Sequence, residues 1–349
     1  MRRGKNRIMW VVALALSALV LTWAAGATAA GHLPGKGKSV DPAKGTWTTG
    51  FFQAELVNRG MEELGYTVHR TKELSNPIFY QAVAYGDVDY WANGWFPLHD
   101  AQVPADFDEK ASKVGMIAER AGVQGYLVSK DAADKFNITT LNDFKRPEVK
   151  EAFDSNGDGK ADLVACPPGW GCAEVIPHHL KVYGLEEHIN AIQANYSASF
   201  ADAVTRYKAG QPVLAYTWAP NWTVFLLKPG EDVYWLNVPE IIPTESQKPF
   251  KEALTATGVK GAISDPLKMG FVANNIRIVA NNEFLKANPA AKRFFELVKM
   301  DVADIAQQNY LMHQGEDDDS DIQRHVSEWI EENQATWDSW IEEAKAAAR

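Results

Sequence analysis

The sequence predicts an α/β fold that is divided into two lobes, with a cleft between them and two hinge crossings of the chain. Its 349 residues suit one large or two medium domains, and 46% apolar with 23% charged residues is a globular composition. Near the start, short strand-like segments alternate with amphipathic ones, which indicates a parallel sheet with crossover helices. We predict a first lobe from 31–128 and 274–349, and a second lobe from 129–273.

The first 30 residues have the features of an export signal peptide. Four basic residues precede an apolar run at 8–25, and small residues at 27–29 offer a cleavage site. We expect cleavage after Ala29 or Ala30 and a periplasmic mature protein; an uncleaved membrane anchor is the alternative, because the apolar run is close to spanning length. Cleavage leaves 35 − 4 = 31 basic and 45 acidic residues, a net charge of −14. Such an acidic balance argues against a nucleic-acid partner.

In the first lobe, helices and strands are predicted to alternate before a loop that is rich in aromatic residues. The predicted elements are, in order, a helix at 49–64, a strand at 66–68, a helix at 77–85 and a strand at 87–90. The following loop, 91–100, carries Trp95 and His99. It follows the carboxyl end of a strand, which is where α/β sheets bind ligands.

In the second lobe and the C-terminal part, helices and strands again alternate. The predicted elements are helices at 174–183 and 200–208, strands at 213–218 and 232–238, and helices at 289–300 and 321–346. Asn288 and Pro289 give the helix at 289–300 a clear start. The last helix is predicted to be continuous, and its tryptophans are interpreted as packing residues.

A loop at 165–174 contains the only two cysteines, Cys166 and Cys172. In an oxidising compartment such a close pair is predicted to form a disulfide, with a free reactive thiol or a metal pair as the alternatives. Two prolines and two glycines between the cysteines exclude ordinary helix or strand, so the loop is expected to present Trp170.

Three indoles on separate loops, Trp95, Trp170 and Trp218, are candidates for one site. Aromatic faces around a point suit a quaternary ammonium, which cannot donate hydrogen bonds. The backbone N–H groups of Gly171 and Cys172 precede a predicted helix and suit a carboxylate, and His99 offers another donor. The alternatives are ordinary packing for each indole and a structural role for His99.

The segment 154–162 resembles the beginning of an EF-hand loop. The residues at calcium-ligand positions are Asp154, Asn156, Asp158, Lys160 (through its backbone) and Asp162. Ala165 stands where the closing glutamate is usual, so calcium, in a structural role, is a tentative prediction. An Asx-rich turn is the alternative.

Sequence signatures of enzymes are absent. The chain has no G-x-S-x-G, H-E-x-x-H, phosphate-loop or dinucleotide-binding motif. The adjacent His178 and His179 would face different sides of a helix and make a poor metal site. We therefore predict a binding protein that needs no cofactor, and no catalytic residues.

Several of these segments resemble the periplasmic glycine betaine/proline betaine-binding proteins of ABC uptake systems (ProX type). The resemblance covers nearly the whole mature chain and is carried by segments at 33–37, 63–68, 95–100, 124–127, 158–163, 168–172, 216–218 and 288–291. It implies a two-lobed periplasmic binding-protein fold of type II-like form. This chain departs from the family pattern at Phe96 and Pro167, which could tilt the preference among betaines.

The resemblance also implies a ligand site and partners. The family's three box tryptophans fall on Trp95, Trp170 and Trp218; the carboxylate-binding groups fall on His99, Gly171 and Cys172; and the disulfide falls on Cys166 and Cys172. The implied function is osmoprotection, in which a monomer delivers betaine to an inner-membrane permease with cytoplasmic ATPase subunits. The alternatives are a binder of choline or another methylated ammonium solute, and a sensory or calcium-dependent periplasmic protein outside transport.

Overall fold

The computed structural model describes residues 33–119 and 122–348. The predicted signal peptide, 1–30, lies outside the described residues. Within the described part, none of the helices combines the length and apolar character that a membrane span requires.

The first sheet has five strands, taken mainly from the N-terminal third of the chain. In spatial order they are Lys72–Glu73, Pro42–Lys44, Tyr90–Phe96, Asn275–Asn281 and Ala111–Ala118. The first three run parallel, whereas Asn275–Asn281 is antiparallel to both of its neighbours. The strand Tyr90–Phe96 is buried along its whole length and lies at the centre.

The second sheet also has five strands. In spatial order they are Val233–Leu236, Gln124–Ser129, Leu214–Trp218, Ala161–Val164 and Ile189–Ile192. Gln124–Ser129 is antiparallel to both neighbours and the other pairs are parallel. Each sheet is therefore mixed, with parallel pairs and one antiparallel strand, whereas the sequence indicated a parallel sheet. In each sheet the antiparallel strand is the one by which the chain enters from the other sheet, so no crossover helix returns it to a parallel direction.

Helices cover the sheets, and two short strand pairs complete the fold. The α-helices are Phe51–Glu63, Asn76–Tyr85, Phe107–Lys110, Lys130–Phe136, Pro147–Phe153, Cys172–Val182, Tyr196–Lys208, Thr223–Leu226, Asn282–Ala287, Pro289–Leu297, Val302–His313, Asp319–Glu332 and Gln334–Ala346. The 3₁₀ helices are Thr48–Gly50, Leu98–Gln102, Leu141–Lys145 and Lys248–Leu254. The strand pairs are Ser39–Val40 with Thr67–Val68, and Thr255–Ala256 with Leu267–Lys268.

The chain passes between the two sheets twice. It leaves the first sheet after Ala118, enters the second at Gln124, and returns between Leu236 and Asn275. The strand Gln124–Ser129 is hydrogen-bonded in the second sheet. The lobe limits at 128/129 and 273/274 stay a prediction.

Two of the predicted elements differ from the structure. The strand predicted at 87–90 is instead Tyr90–Phe96, which places Trp95 on a strand rather than in a loop. The single helix predicted at 321–346 is two helices, Asp319–Glu332 and Gln334–Ala346. Asn333 separates them, because its backbone is not helical and its side-chain amide donates to the Trp329 carbonyl (2.9 Å).

The tryptophans of these last helices are core residues, as predicted. Trp329, Trp337 and Trp340 are each less than 10% exposed. Trp337 packs edge-on against Phe294 of the helix Pro289–Leu297 and donates its indole N–H to Glu63 of the helix Phe51–Glu63 (2.7 Å). The C-terminal helices therefore anchor the first lobe and leave the cleft to other aromatic residues.

Candidate functional site

A small cavity lies between the two sheets, where the strands Tyr90–Phe96 and Leu214–Trp218 end. It is larger than the space that one water needs, which suits a compact solute. The lining residues are Trp47, Asn76, Trp95, Leu98, His99, Gln124, Trp170, Gly171, Cys172, Tyr216 and Trp218. The six residues predicted to bind a ligand are all among them.

The three predicted box tryptophans are brought together from distant parts of the chain. Trp218 lies between the other two, with ring centroids 6.4 Å from Trp95 and 5.7 Å from Trp170. Both pairs are close to perpendicular, at 77° and 75°. Each indole is less than 10% exposed. Perpendicular, desolvated rings around a cavity present aromatic faces from different directions, which is the arrangement that an organic cation requires.

A fourth indole, Trp47, also lines the cavity and was not predicted. It follows the strand Pro42–Lys44 and packs edge-on to Trp170, with centroids 5.7 Å apart. The available signal was its position in a Gly-Thr-Trp-Thr-Thr-Gly segment between a strand and a helix. Asn76, Leu98, Gln124 and Tyr216 were missed as well, because nothing local distinguishes them from core residues.

Contacts at the rim of the cavity join the two lobes. The Trp170 indole N–H, in the cystine loop of the second lobe, donates to Thr46 Oγ1 in the first (2.8 Å). The Gln102 side chain donates to the Gly169 carbonyl (3.3 Å) across the same boundary. The cystine loop therefore closes one side of the cavity by contacts that span the cleft.

The cystine loop leads directly into a helix. Cys166 and Cys172 form a disulfide, as predicted, and the helix Cys172–Val182 begins at the second cysteine. The first bonds near this end are donated by Ala173, to the Trp170 carbonyl (3.1 Å), and by Glu174, to the Gly171 carbonyl (3.3 Å). The N–H groups of Gly171 and Cys172 precede these bonds and are oriented by the helix start, so they suit an anion in the cavity.

His99 is neutral and held from several sides. Burial lowers the pKa of its imidazole to about 3. The Trp95 backbone N–H donates to Nδ1 (3.1 Å), and the side-chain nitrogen of Asn76 lies 2.9 Å from Nε2. The Tyr80 hydroxyl lies 2.7 Å from Nδ1. His99 is thus an uncharged side chain whose two ring nitrogens both have polar neighbours.

The cavity carries no formal charge. The lining residues include no aspartate, glutamate, lysine or arginine, and His99 is neutral. The polar features of the described lining are therefore uncharged: aromatic faces, backbone N–H groups, the amides of Asn76 and Gln124 and the hydroxyl of Tyr216. A solute whose charges sum to zero, with a methylated cation at one end and an anion at the other, matches this cavity better than a net ion does.

The buried histidines predict how stability depends on pH. Burial lowers the pKa of both His99 and His179 from 6.5 to about 3. The unfolded chain therefore takes up protons below pH 6.5 while the folded chain does not. Stability is complete above this pH and falls towards pH 3, by up to about 1.4 kcal/mol per pH unit for each histidine. Urea unfolding at pH 7 and pH 5 measures this; equal free energies would contradict it.

The tentative calcium loop is an Asx-type turn. The Asp154 carboxylate accepts hydrogen bonds from the backbone N–H groups of Gly157 (2.6 Å) and Gly159 (2.8 Å), and the second of these is the main cause of its lowered pKa. Asp162 accepts from the Ser155 amide (3.0 Å). Within the described ranges, no group of three or more His, Cys, Asp or Glu side chains is arranged to hold a metal. A structural calcium is therefore not supported, because the backbone already uses these oxygens.

The fold and the cavity define a two-lobed solute-binding protein. Residues 38–332 match the OpuAC family, the substrate binding domain of ABC-type glycine betaine transport systems. The chain belongs to this family, whose members are substrate-binding proteins rather than enzymes. The predicted resemblance is confirmed.

Individual relatives match over most of their length. The chain is 42% identical to the glycine betaine-binding periplasmic protein OusX of Dickeya dadantii, over 97% of this chain and 99% of that protein. It is 41% identical to the glycine betaine/proline betaine-binding periplasmic protein of Escherichia coli, over 92% and 94% of the two chains. The crystal structure of the Borrelia burgdorferi glycine betaine/L-proline-binding protein (ProX) has the same fold, with a TM-score of 0.66 at 19% identity, over 89% of this chain and all of that one.

Proposed function

We propose that this chain is the periplasmic solute-binding component of an ABC importer and binds glycine betaine, and proline betaine, for osmoprotection. The observation that carries the proposal is the uncharged cavity. Its lining offers aromatic faces for the cation of a small zwitterion and backbone N–H donors for the anion of the same molecule. Desolvated cation–π contacts are worth about 2 kcal/mol each. Trp95, Trp170 and Trp218 would surround the trimethylammonium group.

The carboxylate end would be held by neutral donors. Gly171 and Cys172 would supply backbone N–H groups at a helix N-terminus, and His99, which lines the same cavity, would be the third carboxylate contact. Choline is a second candidate ligand, because it carries the same cation. It lacks the carboxylate, so these donors would lose their partner, and its net charge would be uncompensated in the uncharged cavity.

Isothermal titration of the protein with glycine betaine, proline betaine, choline and plain glycine tests this proposal. We expect heat from both betaines, weaker binding of choline and none of glycine, which lacks the methyl groups. If neither glycine betaine nor proline betaine gave heat on titration, the proposed ligand would be refuted.

Delivery to a transporter is the remaining part of the proposal. The loaded protein would act as a monomer, docking on an inner-membrane permease that two cytoplasmic ATPase subunits drive, after removal of the export signal 1–30. Sedimentation at micromolar concentration tests the monomer, and mass spectrometry of the exported chain tests cleavage after Ala29 or Ala30. Betaine-dependent stimulation of ATP hydrolysis by a reconstituted transporter tests the docking; no stimulation would contradict it.

A further inference from the structure

Asn93 is buried behind the aromatic cavity and contacts two of its indoles. It lies on the central strand Tyr90–Phe96 and is 1% exposed. Its side-chain oxygen accepts the indole N–H of Trp95 (2.7 Å) and the indole N–H of Trp47 (2.9 Å). A carbonyl oxygen has two lone pairs and can accept two hydrogen bonds. The two indole N–H groups, which belong to two walls of the cavity, therefore use both.

The two hydrogen bonds define how the indole faces are oriented. A cation–π contact depends on the position of the cation over the ring face, so a rotated indole loses it. The side-chain oxygen of Asn93 accepts from the N–H edge of both rings, and this restricts the direction in which each ring face points. Trp47 in turn packs edge-on to Trp170, with an interplanar angle of 74°. The orientation of Trp47 therefore also affects the orientation of Trp170, which closes the cavity from the other lobe.

The Asn93 side chain pairs two indole N–H groups but leaves its own nitrogen unpaired. Among the described residues, no hydrogen-bond partner is found for the Asn93 side-chain nitrogen, although the atom is buried. A buried, unpaired amide N–H group costs about 1–3 kcal/mol. A leucine, which branches like asparagine but is larger, would avoid that cost and would leave both indole N–H groups without an acceptor. Asn93 is therefore the residue that keeps both indoles paired in their present positions.

We propose that Asn93 is a positioning residue for the cation end of the cavity and that Trp47 is a fourth wall of that end. The ligand part of this proposal rests on the proposed function, because it takes the solute to be a methylated ammonium zwitterion. Asn93 would act through Trp47 and Trp95, without being required to touch the solute.

Asn93→Leu tests the proposal by titration with glycine betaine and with dimethylglycine, which has one methyl group fewer. We expect affinity for glycine betaine to fall about tenfold and the preference over dimethylglycine to shrink, because the faces no longer converge on the methyl groups. Asn93→Asp keeps an acceptor for the two indoles but adds an ionisable group, so it is expected to retain the preference over dimethylglycine better than Asn93→Leu does. Unchanged affinity and preference in Asn93→Leu would overturn the proposal.

Asn58→Leu is the matched control. Asn58 is also a buried asparagine of the first lobe that accepts from an aromatic side chain, the Tyr90 hydroxyl (2.8 Å), but it does not line the cavity. We expect this variant to unfold more easily and to keep its ligand preference. Equal losses of preference in both variants would show a general effect of destabilisation and would overturn the role of Asn93.

A ligand-free measurement separates this proposal from the proposed function. Ultraviolet resonance Raman spectra report hydrogen bonding at indole N–H groups, and Asn93→Leu is expected to weaken this signal for two indoles. If the unmodified protein binds no betaine but the Raman signal changes in Asn93→Leu, the proposed ligand is refuted and the orienting role of Asn93 is supported. An unchanged signal would overturn the orienting role even if betaine binds.

Discussion

Replacing Trp170 with alanine is expected to weaken the binding of glycine betaine about 30-fold or more. The indole is 8% exposed and lines the cavity from the cystine loop. Loss of one desolvated cation–π face removes about 2 kcal/mol, and each 1.4 kcal/mol is a factor of ten in affinity. The variant also loses the hydrogen bond to Thr46 that joins the lobes. Isothermal titration measures the change.

Three further variants separate the parts of this effect. Trp170→Phe keeps an aromatic face and is expected to bind better than Trp170→Ala. Thr46→Val keeps the indole but removes its acceptor, which costs about 1 kcal/mol, or roughly fivefold in affinity. Trp329→Ala removes a similarly buried tryptophan that lies outside the cavity, so it should lower stability without changing affinity. A Trp170→Ala variant with unchanged affinity would show that the box is misassigned.

Gly171→Ala is expected to weaken betaine binding at least tenfold while leaving the ligand-free protein stable. A Cβ at this position would lie 2.5 Å from Leu98 Cγ and 3.2 Å from His99 Cδ2, both on the opposite side of the cleft. Real side chains do not tolerate the first distance, so the lobes would have to separate. The backbone of Gly171 is right-handed helical (φ −61°), a conformation that alanine adopts readily. The clash therefore opposes closure rather than folding.

Gly125→Ala is the matched control for this substitution. Its Cβ would meet the nearest atom, of Trp235, at 3.6 Å, which is ordinary contact. We expect this variant to bind as the unmodified protein does. The two variants are compared by thermal unfolding without ligand and by titration with glycine betaine. Wild-type affinity in Gly171→Ala, or a large fall in its ligand-free melting temperature, would contradict the argument from closure.

The elements that the sequence predicted well are those with strong local signals. The helix Phe51–Glu63 was expected from its apolar spacing, and the helix predicted at 77–85 is Asn76–Tyr85 in the structure. The helix Pro289–Leu297 begins at the proline that marked its start. The predictions of a strand at 87–90 and of one continuous helix at 321–346 were wrong. The strand Tyr90–Phe96 is set by its central position in a sheet, and the helix break is set by the backbone and side chain of Asn333, which resembles an ordinary helix residue in the sequence.

The site was predictable in part for the same reason. Trp95, Trp170 and Trp218 carry their own signals, because large aromatic residues beside glycine and proline stand out. Asn93 and Thr46 carry none, since a buried asparagine and a threonine at a rim are ordinary residues until their partners are known. The calcium pattern misled because turn residues that bind metal and turn residues that bind their own backbone have the same composition.

The sequence by itself determined the cystine loop and its chemistry. An indole followed at once by the first N–H groups of a helix is a local arrangement, set by the prolines, the glycines and the disulfide within seven residues. Only the tertiary structure decided what surrounds that loop. Thr46 lies 124 positions from Trp170, and the residues that line the cavity come from both lobes. Such contacts follow from how two lobes pack across a cleft, which no local pattern of residues encodes.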